Sequence, residues 1–178
     1  MLIRVAVCAS IGAARVIELF YSQRNIQKAG SSAQGTWSRR TFPLVFMLHA
    51  GVLLGTLFRG HGLRLPALAL LLAIQPIRAW VLLTLGDRWN VRGAVPASMK
   101  VATEGPYAFV RHPNYTVVAI ELASLPAAFR LDRLAIAASA VNALLLAVRI
   151  KEEEAALFQL PGYREHFDEK PRFLPSLF

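Results

Sequence analysis

The sequence predicts an all-α, multi-pass integral membrane helical bundle of about five transmembrane helices, the last two forming a hairpin. Three observations lead there. The chain is 55% apolar yet carries a formal net charge of +9. Its apolar residues gather into four regions, 3–20, 42–58, 63–86 and 115–148, with most of the charge between them. A helix needs about 20 mostly apolar residues to cross a bilayer, so each of the first three regions supplies one span. The fourth region is too long for one and is divided at Arg130-Leu131-Asp132-Arg133 into two short helices, which makes a tilted or shallow hairpin.

Length and composition narrow the rest. At 178 residues the chain makes one domain, 1–178. A basic soluble protein would point to nucleic acid; apolar runs longer than a soluble core needs point instead to membrane lipid, with no nucleic acid partner. Cys8 is the single cysteine, which excludes an intrachain disulfide and a cysteine metal cluster. Histidines at metal-ligand spacing, a G-x-G-x-x-G after a strand and a P-loop are all missing, so no metal site is expected.

The first span carries Arg15 and Glu18, three apart and hence on one helix face, able to pair. Charges at membrane depth face protein or a cavity. Tyr21 to Arg40, with Arg24, Lys28, Arg39 and Arg40 around Gly30-Ser31-Ser32 and Gly35, reads as a flexible basic loop on the membrane surface. Span two contains His49, whose bland role is a hydrogen-bonded packing residue. Span three contains Pro66, Pro76 and Arg78. Pro76 predicts a kink that neighbouring helices must satisfy. Arg78 lies far from the end of its span, which predicts an inward, substrate-binding role over a snorkelling one. Leu85-Gly86-Asp87-Arg88-Trp89-Asn90 marks the exit with an interfacial Trp, and Val91 to Glu104 is a polar loop. Glu121 inside span four must be paired, protonated or lining a polar cavity, and is the second candidate for substrate binding. It follows His112 by nine residues, about half a helical turn out of phase, so its partner is expected on another span.

Between the apolar halves stands the densest polar and aromatic cluster of the chain, Gly-Pro-Tyr-Ala-Phe-Val-Arg-His-Pro-Asn-Tyr at 105–115. Gly105-Pro106 is a turn signal. Pro113 suits the first position of a helix, and Asn114 can help satisfy the free amides of that turn. Arg111, His112, Pro113, Asn114 and Tyr115 thus stand at a helix N-terminus, which attracts anions. The alternative is a connecting loop whose Arg and Tyr anchor the chain at lipid headgroups. The last span ends in Val148-Arg149-Ile150-Lys151-Glu152-Glu153-Glu154, from which a continuing helix leads to Tyr163 and a Pro-rich tail. Five spans place thirteen of the twenty Lys and Arg on the face that holds loops 21–41 and 87–113 and the C-terminal tail, against five on the other. The excess of positive charge makes that face cytoplasmic.

Taken together, the Gly-Pro-Tyr to Arg-His-Pro-x-Tyr stretch at 105–115 and the Arg149, Glu153-Glu154 cluster resemble the isoprenylcysteine carboxyl methyltransferase family of integral membrane enzymes. The resemblance is close over 78–175 and looser at Arg15-Val-Ile-Glu-Leu. That longer match resembles a bacterial branch associated with polyketide synthases, thought to O-methylate alkylated phenols or pyrones. The resemblance implies a methyltransferase of a bacterial inner membrane, with its active site and C-terminus in the cytoplasm. It implies S-adenosylmethionine as cofactor, held within about 87–178 by His112, Pro113, Tyr115 and nearby Glu153. It also implies Arg149 and Glu154 as catalytic, and a lipophilic small molecule or prenylated group as acceptor. The cofactor's carboxylate suits a helix N-terminus and Arg111, and its sulfonium suits aromatic faces and carboxylates. Arg149 and Glu154 are five residues apart, about 140° on an ideal helix, so reaching one ligand requires a helix break near Lys151 or a wide cleft. The competing enzyme class is an NADPH-dependent sterol-type membrane reductase, which shares a similar Arg-His-Pro-x-Tyr pattern on a longer chain. A non-enzymatic scaffold would leave Arg78, Glu121 and Arg149 without a reason to be at membrane depth.

Overall fold

The structure, a computed structural model, describes residues 1–29, 36–93, 95–96 and 99–175, with residues 36–40 described by backbone alone. Six α-helices occur among them: α1 Leu2–Ala29, α2 Thr36–Arg59, α3 Leu65–Leu85, α4 Pro113–Ala128, α5 Asp132–Leu157 and the short α6 Tyr163–Phe167. Single 3₁₀ turns follow α3 at Gly86–Arg88 and precede α4 at Gly105–Ala108, and no strand occurs among the described residues. The fold class is therefore all-α.

Among the described residues three stretches are long and apolar enough to cross a membrane: Thr41–Arg59, Leu65–Arg88 and Asp132–Leu157. The count of five differs from this for two physical reasons. Helix α1 is long enough, but Arg4, Arg15, Glu18, Arg24 and Lys28 dilute its apolar character. Helix α4 has 16 residues, about 24 Å at 1.5 Å per residue, short of the roughly 30 Å of hydrocarbon. Helices α4 and α5 pack against each other across residues 129–131, where Arg130 takes a positive φ of 59°. Across that end, Arg64 forks onto Asp132 at 2.6 and 3.0 Å. The pair is exposed, so solvent screens it and it contributes little to stability.

The expected surface loop at 21–40 is largely helical. Helix α1 continues to Ala29 and α2 begins at Thr36. Gly30-Ser31-Ser32 and Gly35, and the side chains of Arg39 and Arg40, lie outside the described residues. Ser22 and Asn25 look like loop formers, yet with Glu18 they follow an i, i+4, i+7 spacing and are buried. Asn25 donates to the carbonyls of Gly86 and Trp89 at 3.1 and 2.7 Å. Ser22 Oγ accepts from the Val91 amide at 3.0 Å. These polar groups satisfy the unpaired backbone at the end of α3, which fixes where α1 stands.

Lipid offers little apolar driving force between helices, so close packing and polar contacts carry their association. Leu71, Leu122, Leu125, Ala128, Phe129 and Ala138 form the larger buried cluster, with Val52 and Cys8. Beside it, a charged network joins α1, α3 and α4. Arg78 forks onto Glu18 at 2.8 and 2.6 Å and donates to Glu121 at 3.2 Å. Arg15 lies 2.9 Å from Glu18 and 3.5 Å from Glu121, and Gln75 donates to Glu121 at 2.9 Å. The i, i+3 pair expected within α1 is thus part of a larger set, and Glu121 pairs with other helices rather than with His112. Removing one partner from such a buried set costs about 3–5 kcal/mol, so this network outweighs the Arg64–Asp132 pair.

Candidate functional site

The site lies where the C-terminal end of α3, the N-terminal end of α4 and the C-terminal end of α5 meet the tail. Gly105 sets the approach to α4: its φ is +55°, and a Cβ there would sit 2.5 Å from Thr84 Oγ1 and 3.0 Å from Trp80 Nε1. Only glycine fits both the left-handed backbone and that contact. Pro113 occupies the first turn of α4, as its fixed φ and missing N–H favour. Asn114 does not cap this helix; its Oδ1 is buried without a partner. The backbone ahead of α4 is met instead by the tail, with Arg111 N–H donating to Pro171 O at 2.9 Å and His112 N–H to Arg172 O at 2.8 Å. Arg111 Nε reaches Lys170 O at 2.7 Å, and Thr116 Oγ1 reaches Phe173 O at 2.9 Å. Residues 168–173 therefore lie as a strap across the start of α4.

Helix α5 runs unbroken to Leu157, so the expected break near Lys151 is absent and Arg149 and Glu154 face different ways. Glu154 is buried. Arg172 forks onto its carboxylate at 3.0 and 2.7 Å, His112 Nε2 lies 3.1 Å away, and Arg111 lies 3.5 Å away. The Glu154 hydrogen bonds keep the Arg172 guanidinium's pKa above its ordinary value. Arg149 and Glu153, four apart, share the other face. Arg149 Nη2 donates to Val91 O at 2.6 Å, its guanidinium lies 5.5 Å over the Tyr115 ring, and its Nε is buried without a partner. The Tyr115 hydroxyl donates to Glu153, and the Tyr115 ring stacks on His112 with centroids 5.3 Å apart. Gly93, at φ +63°, lets the loop after α3 close over this pair: a Cβ there would meet Arg149 Nη2 at 3.0 Å and Glu153 Oε2 at 3.2 Å.

Two cavities adjoin here. The smaller, about 90 Å³, is lined by Arg111, His112, Asn114, Tyr115, Arg149 and Glu153, together with Tyr107, Leu157 and Tyr163. The larger, about 290 Å³ and mostly apolar, runs between α1, α2, α4 and α5, and the Arg15, Glu18, Arg78 and Glu121 network lies along its wall. Trp89, Asn114, Tyr115 and Arg149 line both. Glu154 lines neither, and Pro113 is buried without reaching either. Burial, followed by the Glu153 carboxylate, pushes the Tyr107 hydroxyl's pKa well up, and burial with Glu154 and Glu153 does the same for Tyr163. Both phenols stay protonated at neutral pH and act as donors rather than bases.

The expected residues Arg111, His112, Asn114, Tyr115, Arg149 and Glu153 are thus brought together, while Arg78 and Glu121 border the adjoining apolar cavity. Two residues escaped the sequence reading. Trp89, taken for an interfacial anchor, is 3% exposed and stands between the cavities. Arg172 reaches Glu154 across 18 residues, a distance at which no spacing signal exists. The smaller cavity suits S-adenosylmethionine chemically, with Tyr115 and Glu153 for a sulfonium, Arg111 for a carboxylate and the unpartnered Asn114 Oδ1 as a free acceptor. Among the described residues no group of three metal-ligating side chains occurs.

The chain is 28% identical over 150 residues to the uncharacterized protein YpbQ of Bacillus subtilis (strain 168), covering 80% of this chain and 89% of that protein. Residues 67–159, which contain Arg78, the 105–115 stretch, Glu121, Arg149, Glu153 and Glu154, match the model of the isoprenylcysteine carboxyl methyltransferase (ICMT) family. Since that match spans more than half of the sequence, the chain belongs to the isoprenylcysteine carboxyl methyltransferase family.

Proposed function

We propose that the protein is an integral membrane methyltransferase that uses S-adenosylmethionine and transfers the methyl group to an oxygen of a lipophilic acceptor, by preference a phenolic or enolic hydroxyl. The observation that carries this reading is the shared wall of the two cavities at Asn114, Tyr115 and Arg149. A chamber that sets Arg111, His112, Tyr115, Arg149 and Glu153 among apolar residues, beside an almost wholly apolar one, suits a charged donor and a greasy acceptor meeting at one boundary. Arg111, His112, Asn114, Tyr115 and Glu153 would hold the cofactor, which supplies an electrophilic methyl on a sulfonium. Arg78 and Glu121 would border the acceptor's tail. Methyl transfer is an in-line displacement, for which positioning and exclusion of water supply most of the acceleration.

Arg149 steadies the developing oxyanion of the acceptor. The proton of a hydroxyl acceptor goes to Glu153, which shares a cavity with Arg149, rather than to Glu154, whose carboxylate is committed to Arg172 and His112. Glu154 positions the strap that closes the cofactor side. A carboxylate acceptor is already ionised at neutral pH and would dispense with Glu153 as base.

With α1 to α5 all entering the membrane, the charge distribution puts the tail and the site in the cytoplasm of a bacterial cell. Labelling of a cysteine placed at position 170 is expected from the cytoplasmic side only; labelling only from outside would reverse the topology. Calorimetry on the purified protein tests the cofactor: S-adenosylmethionine and S-adenosylhomocysteine are expected to bind and NADPH not. His112→Ala and Tyr115→Ala are each expected to weaken S-adenosylhomocysteine binding about ten-fold or more, the loss of one good polar contact. Unchanged affinity in both variants would move the cofactor out of the smaller cavity.

A further inference from the structure

Trp89 has the least explained polar group near the two cavities. It follows the 3₁₀ turn at Gly86–Arg88, where Gly86 accepts its amide at 3.1 Å. Its ring stacks against Tyr21 at 6.1 Å with an interplanar angle of 16°. The side chain is 3% exposed, lines both cavities, and its indole Nε1–H is buried without a partner. A buried donor left unpaired is destabilising, so its retention beside an apolar chamber calls for a ligand. Trp89 is fixed by its neighbours. Asn25 on α1 holds its carbonyl at 2.7 Å, and the Tyr21 stack and close burial hold the ring.

We propose that Trp89 recognises the head group of the acceptor, its indole N–H donating to an oxygen other than the one that takes the methyl. This rests on the reading of the cavities as cofactor and acceptor sites. The chemistry of the donors selects that second oxygen. Arg149, the donor proposed above for the reacting oxygen, lines the same shared wall, which leaves the indole N–H for a second oxygen of the head group. On a second oxygen conjugated with the first, a hydrogen bond spreads the negative charge and lowers the acidity barrier of the reacting hydroxyl. The matching ligand is therefore an alkylated head group with two conjugated oxygens, a cyclic β-diketone in its enol form or a carboxylic acid, rather than a simple alkylphenol.

The test measures binding to the purified full chain in detergent with S-adenosylhomocysteine present, using three probes: a pentyl-substituted cyclic β-diketone, hexanoic acid and a pentylphenol. Trp89→Phe is expected to weaken binding of the β-diketone or the acid about ten-fold, the loss of one hydrogen bond to a charged oxygen, and to leave the pentylphenol unchanged. Which of the two probes responds identifies the head group. Benzothienylalanine inserted at position 89 keeps the bicyclic shape and lacks only the N–H; it is expected to give the same selective loss, and it serves where the Phe variant folds poorly. Equal losses for all three probes, no loss for any, or a loss confined to S-adenosylhomocysteine affinity would overturn the proposal. A selective loss with no methyl transferred to any probe by the unaltered protein would overturn the methyltransferase reading and leave the head-group recognition standing.

Discussion

Arg149→Ala is expected to abolish methyl transfer to any acceptor while S-adenosylhomocysteine still binds. The guanidinium is held at three points: Nη2 on the Val91 carbonyl at 2.6 Å, the cation face on Tyr115 at 5.5 Å, and Gly93 closing behind it. Its Nε is buried without a partner, and the residue lines both cavities. A fixed cation in a site that excludes water favours the ionised acceptor and holds its oxygen in line with the methyl carbon, and loss of that positioning lowers turnover about a hundred-fold. Arg149→Lys keeps the charge but loses the planar fork that reaches Val91 and the ligand together, so it is expected to retain a small fraction of activity. Radiolabelled methyl transfer in membranes, compared between an alkylated pyrone or resorcinol and a prenylated cysteine, measures both variants. Turnover in Arg149→Ala within ten-fold of the unaltered protein would remove Arg149 from the chemistry.

What was legible in the sequence was local or energetically forced. Pro113 announces the start of α4 because its ring suits that position alone. Arg15, Glu18, Arg78 and Glu121 had to find one another, since four charges among apolar residues have nowhere else to go. The strap was not legible: Arg111 meets Pro171, and Glu154 meets Arg172, through long-range folding that no periodicity encodes. Residues 21–29 were misread because Ser22 and Asn25 have the chemistry of turn formers, and only their phase with Glu18 marks them as a helix face. Trp89 was misread because a Trp beside an apolar run looks the same whether it touches headgroups or plugs a cavity. For α5, helical phase separates the two glutamates: positions 149 and 154 are about 140° apart, whereas 149 and 153 are about 40° apart.

That phase difference decides the last prediction, in which two adjacent glutamates separate into different roles. Glu153→Gln is expected to lower kcat on a phenolic or enolic acceptor about a hundred-fold or more, the usual loss when a general base is removed. S-adenosylhomocysteine, which lacks the sulfonium charge that Glu153 would face, should lose less affinity than kcat loses. Glu154→Gln should behave differently. It weakens the contacts to Arg172 and His112 that hold residues 168–173 across α4. Cofactor affinity should fall, while turnover at saturating S-adenosylmethionine stays within ten-fold of the unaltered protein and keeps its pH profile. Arg172→Ala should reproduce the Glu154→Gln pattern, since it removes the other half of the same contact. If Glu153→Gln turned over normally and Glu154→Gln lost a hundred-fold in kcat at saturating cofactor, the proton would belong to Glu154. Helix α5 would then have to unwind past Lys151 during the reaction to bring that carboxylate into reach of Arg149.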